Sequence, residues 1–198
     1  MRGVRLYTIL YGGKNNMDDL TEKKISGERL YDGKVLALEK DTVRLPDGNT
    51  AIREIIRKSA AVCVVPLTDD NNVIMVDQFR YPYAEVLTEI PAGKLEKGED
   101  ALDGAIRELE EETGYTAGKM KFIGNYYPTP AIIDEFISMY VATDLQKGKV
   151  HLDEDEFLTS YEIPLDELCE RILNNEIPDG KTQVAILKTA ALIKKGEI

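Results

Sequence analysis

The sequence has one histidine, two cysteines and no tryptophan among its 198 residues. The single histidine, His151, excludes a metal site built from several imidazoles, and its charged neighbours predict a surface position. Cys63 and Cys169 are far apart and match no metal-binding spacing, so we predict two buried, reduced thiols. No apolar run approaches the roughly 18 residues that a membrane-spanning helix needs, and no membrane partner is expected.

Positive charge is also scarce, with 25 lysines and arginines against 36 aspartates and glutamates and a formal net charge of −11. An acidic surface repels the phosphate backbone of nucleic acids, which makes a nucleic-acid partner a poor candidate. The same charge would repel a phosphate-bearing small molecule. A substrate of that kind therefore needs a local cation.

The N-terminus lacks the pattern of a secretory signal. Its apolar patch LYTIL is shorter than the core of a signal peptide, and no small-residue cleavage site follows, so we expect a cytoplasmic protein. From Met17 onward the sequence has the polar character of an ordinary domain start, and the preceding YGGKNN is compatible with a translated ribosome-binding stretch. We hypothesise that translation starts at Met17 and that residues 1–16 do not contribute to function. Mass spectrometry showing that the native protein starts at Met1 would contradict this hypothesis.

The predicted elements follow the order strands, helix, strands and helices, in a chain long enough for one domain with a small extra lobe. A hairpin around the turn PDG is predicted over residues 34–58 and can form a separate small sheet. This order favours an α+β, or mixed α/β, layered domain over regular βαβ winding. We assign an N-terminal β region to 17–58 and the main domain to 59–198. Further strands are predicted in AAVCVVPLT, NVIMVDQFRY, EVLTEI, MKFIGNYY, FISMYVATDL and FLTSYEI, and helices in PLDELCERILNN and at residues 182–195.

A carboxylate-rich helix is predicted from about Asp100 to Thr113, with Gly114 at its C-cap. At 3.6 residues per turn, one stripe has core spacing and is expected to be buried: Leu102, Ile106, Leu109 and Thr113. A second stripe carries three carboxylates with no lysine among them: Glu108, Glu111 and Glu112. Gly104 lies one turn earlier on this second stripe.

Two interpretations of the carboxylate stripe compete. Acidic helices are usually plain solvated faces, which is the common outcome for such a segment. Here, however, Gly104 interrupts the stripe at a cost near 1 kcal/mol relative to alanine, which fits a bulky ligand approaching the helix. Oxygen ligands at helical spacing suit a hard cation such as Mg²⁺ or Mn²⁺, and a cation would relieve the repulsion between the carboxylates.

The stretch from Gly93 to Tyr115 resembles the Nudix box of the Nudix hydrolases. The matching positions are Gly93, Glu99, Arg107, Glu108, Leu109, Glu111, Glu112 and Gly114, and Tyr115 stands where an aliphatic residue is usual. Outside the box, VDQFRYPYAEVLTEIPAGKLEKGE and Pro130 resemble the ADP-ribose pyrophosphatase branch, and the resemblance covers roughly residues 27 to 190. The branch often has Ser-Pro-Gly where this chain has Thr129-Pro130-Ala131, a departure that bears on the substrate rather than on the reaction class.

The resemblance implies a Nudix-type α/β/α sandwich with an additional small N-terminal antiparallel sheet. It also implies hydrolysis of ADP-ribose to AMP and ribose 5-phosphate, with Mg²⁺ or alternatively Mn²⁺ as cofactor. The implied metal ligands are Glu108, Glu112 and the backbone carbonyl of Ala92. Glu111 is a further ligand or a partner of one, and Arg107 is expected to pair with Glu99 or Glu111 and to orient the loop.

The implied general base is a glutamate of the loop HLDEDEF, where Glu154 and Glu156 compete. Glu156 is favoured because relatives keep a Glu-Phe pair there. The candidates for substrate contact are Arg53, Arg80 and Glu135, and arginine suits bidentate phosphate binding. Without a tryptophan, a tyrosine or phenylalanine must stack on adenine if any aromatic ring does.

Two other functions stay open from the sequence. A hydrolase of another nucleotide sugar, such as GDP-mannose, would share the box. A non-catalytic ADP-ribose sensor is less favoured, because such domains typically lose box carboxylates or carry an additional domain. Relatives in this branch form dimers through the N-terminal sheet, so a homodimer built with residues 17–58 is expected.

Overall fold

The computed structural model describes residues 20–149 and 157–198. Several predictions concern positions outside these ranges, namely the start at Met17, the extension 1–16, His151, Glu154 and Glu156. Across the two described ranges, no helix combines the length and the apolar character needed to cross a bilayer.

The described residues form ten strands and three helices, and they include every strand and helix expected from the sequence. Two strands, β1 and β7, were not expected. The elements are β1 (Lys23–Asp32), β2 (Leu36–Arg44), β3 (Thr50–Lys58), β4 (Ala61–Pro66), β5 (Asn72–Arg80), β6 (Glu85–Glu89), β7 (Ala92–Lys94), α1 (Ala101–Thr113), β8 (Tyr115–Tyr126), β9 (Ile137–Lys147), β10 (Leu158–Pro164), α2 (Leu165–Leu173) and α3 (Gly180–Lys194).

Strands β1, β2 and β3 form a separate antiparallel sheet. The predicted hairpin consists of β2 and β3, and its turn is closed by Asp47, whose carboxylate accepts from the backbone N–H of Asn49 at 2.9 Å. Strand β1 escaped prediction because KKISGERLYD is mostly polar, and all of its residues are exposed in the structure.

A loop before β9 attaches this sheet to the main domain. The N–H of Ile56 donates to the carbonyl of Ile132 at 2.8 Å, and the N–H of Asp134 donates to the carbonyl of Ile56 at 3.2 Å. The Asp134 carboxylate accepts from the N–H of Lys58 and from Nη1 of Arg57, each at 3.0 Å. These bonds hold the end of β3 against the loop that follows β8.

The main domain is built on a four-stranded sheet with the order β7-β4-β9-β8, in which β4 and β9 pair parallel and the other two pairs are antiparallel. All of β4 is buried. Cys63 and Val65 belong to the core shared with α2 and α3, whereas Val62 and Val64 belong to a smaller core under α1. The layers are therefore helix, sheet and helices, as expected. A third sheet, β10-β5-β6, adds side chains to the larger core.

The two cysteines differ in burial. Cys63 is 0% exposed, and burial raises the pKa of its thiol to about 12, which keeps it unreactive at neutral pH. Cys169 is half-buried at the edge of the same core, so the prediction of two buried thiols holds for one of them. Tyr115, where the box departs from its usual pattern, packs against the smaller core.

Candidate active site

Helix α1 begins and ends as the sequence predicts. The carboxylate of Asp100 caps its first turn by accepting from the N–H of Leu102 at 2.8 Å. Gly114 ends the helix with a φ of 72°, a left-handed conformation that suits glycine. The helix therefore presents its side chains at the predicted spacing.

The buried face of α1 differs from the predicted one. Leu109 and Thr113 are buried as expected, but Leu102 and Ile106 are each 39% exposed. Two carboxylates are buried instead, with Glu108 at 6% and Glu112 at 2% exposure. The helix is rotated so that these carboxylates meet backbone and arginine groups, a partner set that apolar periodicity does not reveal.

Strand β7 lies directly against the buried carboxylates. The N–H of Ala92 donates to Oε2 of Glu112 at 3.2 Å. A Cβ placed on Gly93 would lie 1.9 Å from Oε1 of Glu108, so any other residue would displace that carboxylate. The glycine that opens the box thus allows the backbone to touch Glu108.

Gly104 has a different role from the one predicted. A Cβ at this position would lie 2.5 Å from Cδ2 of Leu95 and 3.1 Å from Oε2 of Glu99. Gly104 is itself buried beneath the loop that precedes α1. The expectation that it leaves the carboxylate face open to a ligand is wrong, because it makes room for the loop to pack on the helix.

Arg107 joins the loop to the carboxylates. Its Nε donates to Glu99 at 2.9 Å, and its Nη2 donates to the carbonyl of Lys94 at 3.1 Å. Its Nη1 donates to Glu108 at 2.7 Å and to Glu111 at 2.9 Å. The predicted pairing with Glu99 or Glu111 is present with both partners.

The charges in this group stabilise one another. The Arg107 hydrogen bond and the backbone N–H of Glu96 hold the pKa of Glu99 below its ordinary value. Hydrogen bonds from Arg107 to Glu99 and Glu108 raise the pKa of the guanidinium, against the opposing effect of burial. The loop is therefore tied to α1 by groups that stay ionised at neutral pH.

Arg107, Glu108 and Glu111 line a cleft of about 810 Å³. The cleft also receives side chains from β3, β5, β6, α3 and the loop after β8. The cleft brings together six of the predicted site residues: Arg80, Ala92, Arg107, Glu108, Glu111 and Glu135. Glu112 adjoins it through its hydrogen bond to the backbone of Ala92. One concave site thus unites residues that the sequence spreads over more than fifty positions.

Two predicted site residues are not placed at the cleft. Arg53 lies on β3, where its Nε donates to Glu22 at 2.9 Å, and it is not among the lining residues. Glu156 lies outside the described residues, as does its competitor Glu154. The assignments of all three remain predictions.

Sequence reasoning missed a group of charged residues inside the cleft. Glu89 is 2% exposed and receives both Nε and Nη2 of Arg80, each at 2.6 Å. The ammonium group of Lys181 donates to Glu89 and, at 3.0 Å, to Asp179. Glu89 carried little signal, because the strand EVLTEI also contains the polar residues Glu85 and Thr88. Lys181 carried none, because its partner Glu89 is 92 positions away.

The charged group is held ionised by its own members. Burial opposes ionisation of Glu89, but the Arg80 hydrogen bonds and the Lys181 charge hold the pKa of Glu89 below its ordinary value. Burial also disfavours the Lys181 ammonium, but Asp179 and Glu89 together raise its pKa. Two cations and two anions therefore balance inside the cleft.

Glu135 is paired on the other side of the attachment loop. Nζ of Lys58 donates to its carboxylate at 2.6 Å, and Glu135 is 7% exposed. Both residues line the cleft. Lys58 is a further cleft residue that the sequence did not single out, and its position depends on how the N-terminal sheet is attached.

The donors on α1 fit a hard divalent cation by their chemistry. Glu108 and Glu112 are buried carboxylates one helical turn apart. The backbone of Gly93 lies so close to Glu108 that a side chain at position 93 would occupy the space of the carboxylate. Among the described residues, no three acidic, histidine or cysteine side chains form a group placed to hold a metal ion. A backbone oxygen such as the carbonyl of Ala92 would complete an all-oxygen set with the two carboxylates, which suits Mg²⁺.

Comparison with known proteins assigns the family. A model of the NUDIX domain matches residues 57–183, and a model described as the nucleoside diphosphate sugar hydrolase N-terminal domain matches residues 22–56. The chain belongs to the Nudix family. The resemblance that the box indicated is therefore confirmed, and members of this family generally use divalent metal ions.

Relatives of this Nudix protein cover most of its length. An ADP-ribose pyrophosphatase of Bacillus subtilis (strain 168) is 44% identical over 172 residues, which are 86% of this chain and 93% of the relative. A methanol dehydrogenase activator of Bacillus methanolicus is 45% identical over 167 residues, which are 83% of this chain and 90% of the relative. A crystal structure of an ADP compounds hydrolase superposes with a TM-score of 0.80 at 21% identity, covering 90% of this chain and 98% of that chain. It confirms the expected fold.

Proposed function

We propose that this Nudix protein hydrolyses the pyrophosphate bond of ADP-ribose to give AMP and ribose 5-phosphate. The observation that carries the proposal is one cleft lined both by box carboxylates and by the cation Arg80. A volume of about 810 Å³ is within the range of small-molecule sites and suits a nucleotide sugar. The 44% identity to an ADP-ribose pyrophosphatase supports this substrate.

In the proposed reaction, some residues bind the metal ion or the substrate and others position the binding residues. Glu108, Glu112 and the carbonyl of Ala92 would hold Mg²⁺, or alternatively Mn²⁺, which when bound supplies positive charge against the diphosphate and the leaving group. Arg107 keeps the loop closed on α1 and holds Glu108 and Glu111 in place. Arg80 is the proposed contact for a phosphate oxygen.

The proposed general base is Glu156, with Glu154 as the alternative. A base must reach the attacking water directly or through one intermediary, and Glu156 is favoured for this role because relatives keep a Glu-Phe pair at its position. Comparing Glu156→Gln with Glu154→Gln in kcat separates the two residues. Loss of turnover in the Glu154 variant alone would reverse the assignment.

Two tyrosines are the proposed partners for the adenine ring. Tyr83 and Tyr126 line the cleft, and Tyr83 is 72% exposed at its rim. Stacking on a base would cover an exposed ring of this kind. Glu135 and Lys58 form a charged pair at the same cleft, where they are proposed to support the substrate.

We further propose that two copies of the chain associate through the N-terminal sheet. That sheet exposes several apolar side chains: Ile25, Leu30, Tyr31, Val35 and Ile52. Association would cover them. Arg53 would serve a substrate site only if a second copy carried it to a cleft. The two unpaired cysteines are compatible with a reducing compartment, and we propose the cytoplasm.

A panel of nucleotide sugars tests the proposed reaction. Each substrate is incubated with Mg²⁺, with Mn²⁺ or with a chelator, and the products are treated with phosphatase before phosphate is measured. We expect turnover of ADP-ribose with a divalent ion and loss of it with the chelator. A higher kcat/KM for GDP-mannose would replace ADP-ribose by the alternative substrate, and tight ADP-ribose binding without turnover would favour a sensor.

A second candidate function comes from the similarity to the methanol dehydrogenase activator. This relative is as similar to the chain as the pyrophosphatase is, so activation of a dehydrogenase is proposed beside hydrolysis. Adding the protein to a purified methanol dehydrogenase tests it. An unchanged rate of methanol oxidation would exclude the activator function and would leave the proposed hydrolase function unaffected.

A further inference from the structure

A continuous chain of charged side chains runs along the wall of the cleft. Arg80 on β5 binds Glu89 on β6 through two parallel hydrogen bonds of 2.6 Å. Glu89 accepts a further bond from Lys181 in the first turn of α3, and Lys181 donates at 3.0 Å to Asp179, the N-cap of that helix. Two consecutive strands and a helix distant in sequence thus share one ionic chain, which we call the Arg80–Asp179 chain.

Burial differs along the Arg80–Asp179 chain. The side chains of Glu89 and Lys181 are 2% and 10% exposed, whereas that of Arg80 is 35% exposed. Lys181 therefore directs its charge to two carboxylates inside the protein. Both cations line the cleft, and Arg80 is the more exposed of the two.

The bidentate bond leaves one guanidinium nitrogen of Arg80 available. Nε and Nη2 bind Glu89, and within residues 20–149 and 157–198 no hydrogen bond is made by Nη1. An arginine held in this way has one side-chain geometry, so a bound anion need not order it. The geometry depends on Glu89, and Glu89 is in turn held by a second cation, because its Oε2 accepts from both Arg80 and Lys181.

We propose that Lys181 is a positioning residue for the substrate, because it anchors Glu89 and thereby holds Arg80 ready for the diphosphate. The proposal rests on the proposed function, since it requires a diphosphate in the cleft. Lys181 does not touch the reacting atoms in this role. Its loss should weaken substrate binding more than the chemical step.

A cycle of variants tests whether Lys181 acts through Arg80. Lys181→Met, Arg80→Met and the double variant are compared with the wild type in KM and kcat for ADP-ribose. We expect Lys181→Met to raise KM about tenfold, equivalent to about 1.4 kcal/mol, with a smaller change in kcat. The same substitution should have little further effect once Arg80 is already methionine.

Two additional variants make the cycle robust. Lys119→Met is the matched control, because Lys119 pairs with Asp144 at 3.0 Å on the exposed end of β8, away from the cleft lining. Loss of Lys181 leaves Asp179 and Glu89 with one cation fewer and can prevent folding. If so, the cycle is repeated with Asp179→Asn added to each protein, which removes the extra carboxylate and keeps a helix cap.

The outcomes separate this proposal from the proposed function. Additive effects of Lys181→Met and Arg80→Met, or a loss in kcat alone, would show that Lys181 supports only the fold and would overturn the proposal. Partial recovery of KM in Lys181→Arg would support it. If the wild type turns over no nucleotide sugar, the proposed function fails, and the cycle is then measured as the Kd for ADP-ribose by calorimetry without metal. Absence of binding there would overturn both.

Discussion

Glu108 and Glu112 are buried among polar partners although an ionised carboxylate loses much of its solvation on leaving water. Glu112 accepts from the backbone of Ala92, and Glu108 accepts from Arg107. In an ordinary amphipathic helix these positions would hold apolar side chains. Two carboxylates kept at such a cost indicate a site rather than a device for stability.

Glu112→Gln is expected to lower kcat about 100-fold or more while leaving the fold intact. The amide oxygen of glutamine can still accept from Ala92, but it carries no charge for a divalent ion. Turnover is measured beside the far-ultraviolet circular dichroism spectrum and the Tm. The control is Glu110→Gln on the exposed face of α1, and wild-type rates in both variants would remove Glu112 from the metal site.

The ionisation of Glu89 predicts part of the acid sensitivity of the protein. Because the pKa of Glu89 in the folded state lies below its ordinary value of 4.5, the unfolded state binds more protons in acid. The contribution of Glu89 to stability is therefore present above this value and is lost as the pH falls further.

Glu89→Gln should lower the Tm at about pH 7 but reduce the drop in Tm between about pH 7 and about pH 3. The exposed residue Glu170 provides the control, and Glu170→Gln should leave the acid-induced drop unchanged. Differential scanning fluorimetry at both pH values measures the effect. An undiminished drop in the Glu89 variant would contradict the stabilising ion pair.

At the scale of elements, the loop before α1 and the helix itself form one unit. Arg107 bonds the loop at Glu99 and at the carbonyl of Lys94, and Gly104 gives Leu95 the space to pack on the helix. Helix α1 is therefore positioned by its own preceding loop, while β7 contacts its carboxylates.

The effect of Gly104→Ala on the free energy of unfolding is expected to have opposite signs with leucine and with alanine at position 95. Alanine favours a helix over glycine by about 1 kcal/mol, but its Cβ would lie 2.5 Å from Leu95, and overpacking costs about 1–3 kcal/mol. The substitution should therefore lower the free energy of unfolding in the wild type and raise it in a Leu95→Ala background. Urea unfolding of the four proteins measures both steps, and stabilisation in both backgrounds would refute the packing role.

At the scale of the whole molecule, the N-terminal sheet is joined to the main domain mainly through the segment around Asp134, and it leaves β1 fully exposed. An exposed edge strand with apolar side chains is prone to association. The way in which a second copy covers β1 would also determine whether Arg53 reaches the cleft of that copy.

Sedimentation equilibrium is expected to give twice the chain mass of 22.2 kDa. Leu30 lies on β1 and is 49% exposed. Leu30→Glu replaces this apolar side chain by a charged one and should shift the protein toward the monomer. The comparison is Leu173→Glu at the end of α2, which is 73% exposed and outside the N-terminal sheet. A monomeric wild type, or equal behaviour of the two variants, would argue against association through this sheet.

The sequence by itself determined the helix α1, its C-cap, the carboxylate set and the family, because all of these depend on spacing within Gly93–Tyr115. Helical periodicity places side chains on common stripes, and a glycine C-cap ends a helix wherever the helix lies. The order of strands and helices similarly indicated a layered domain, since local patterns decide most elements.

Only the tertiary structure decided which stripe of α1 faces inward and which distant residues complete the site. Periodicity cannot tell a buried carboxylate from a solvated one, because burial depends on the partners that other segments bring. Glu89 meets Lys181 across 92 positions, and Lys58 meets Glu135 across 77. Gly104 shows the same limit, since its sequence signal indicated a close approach but not whether a ligand or the preceding loop made it.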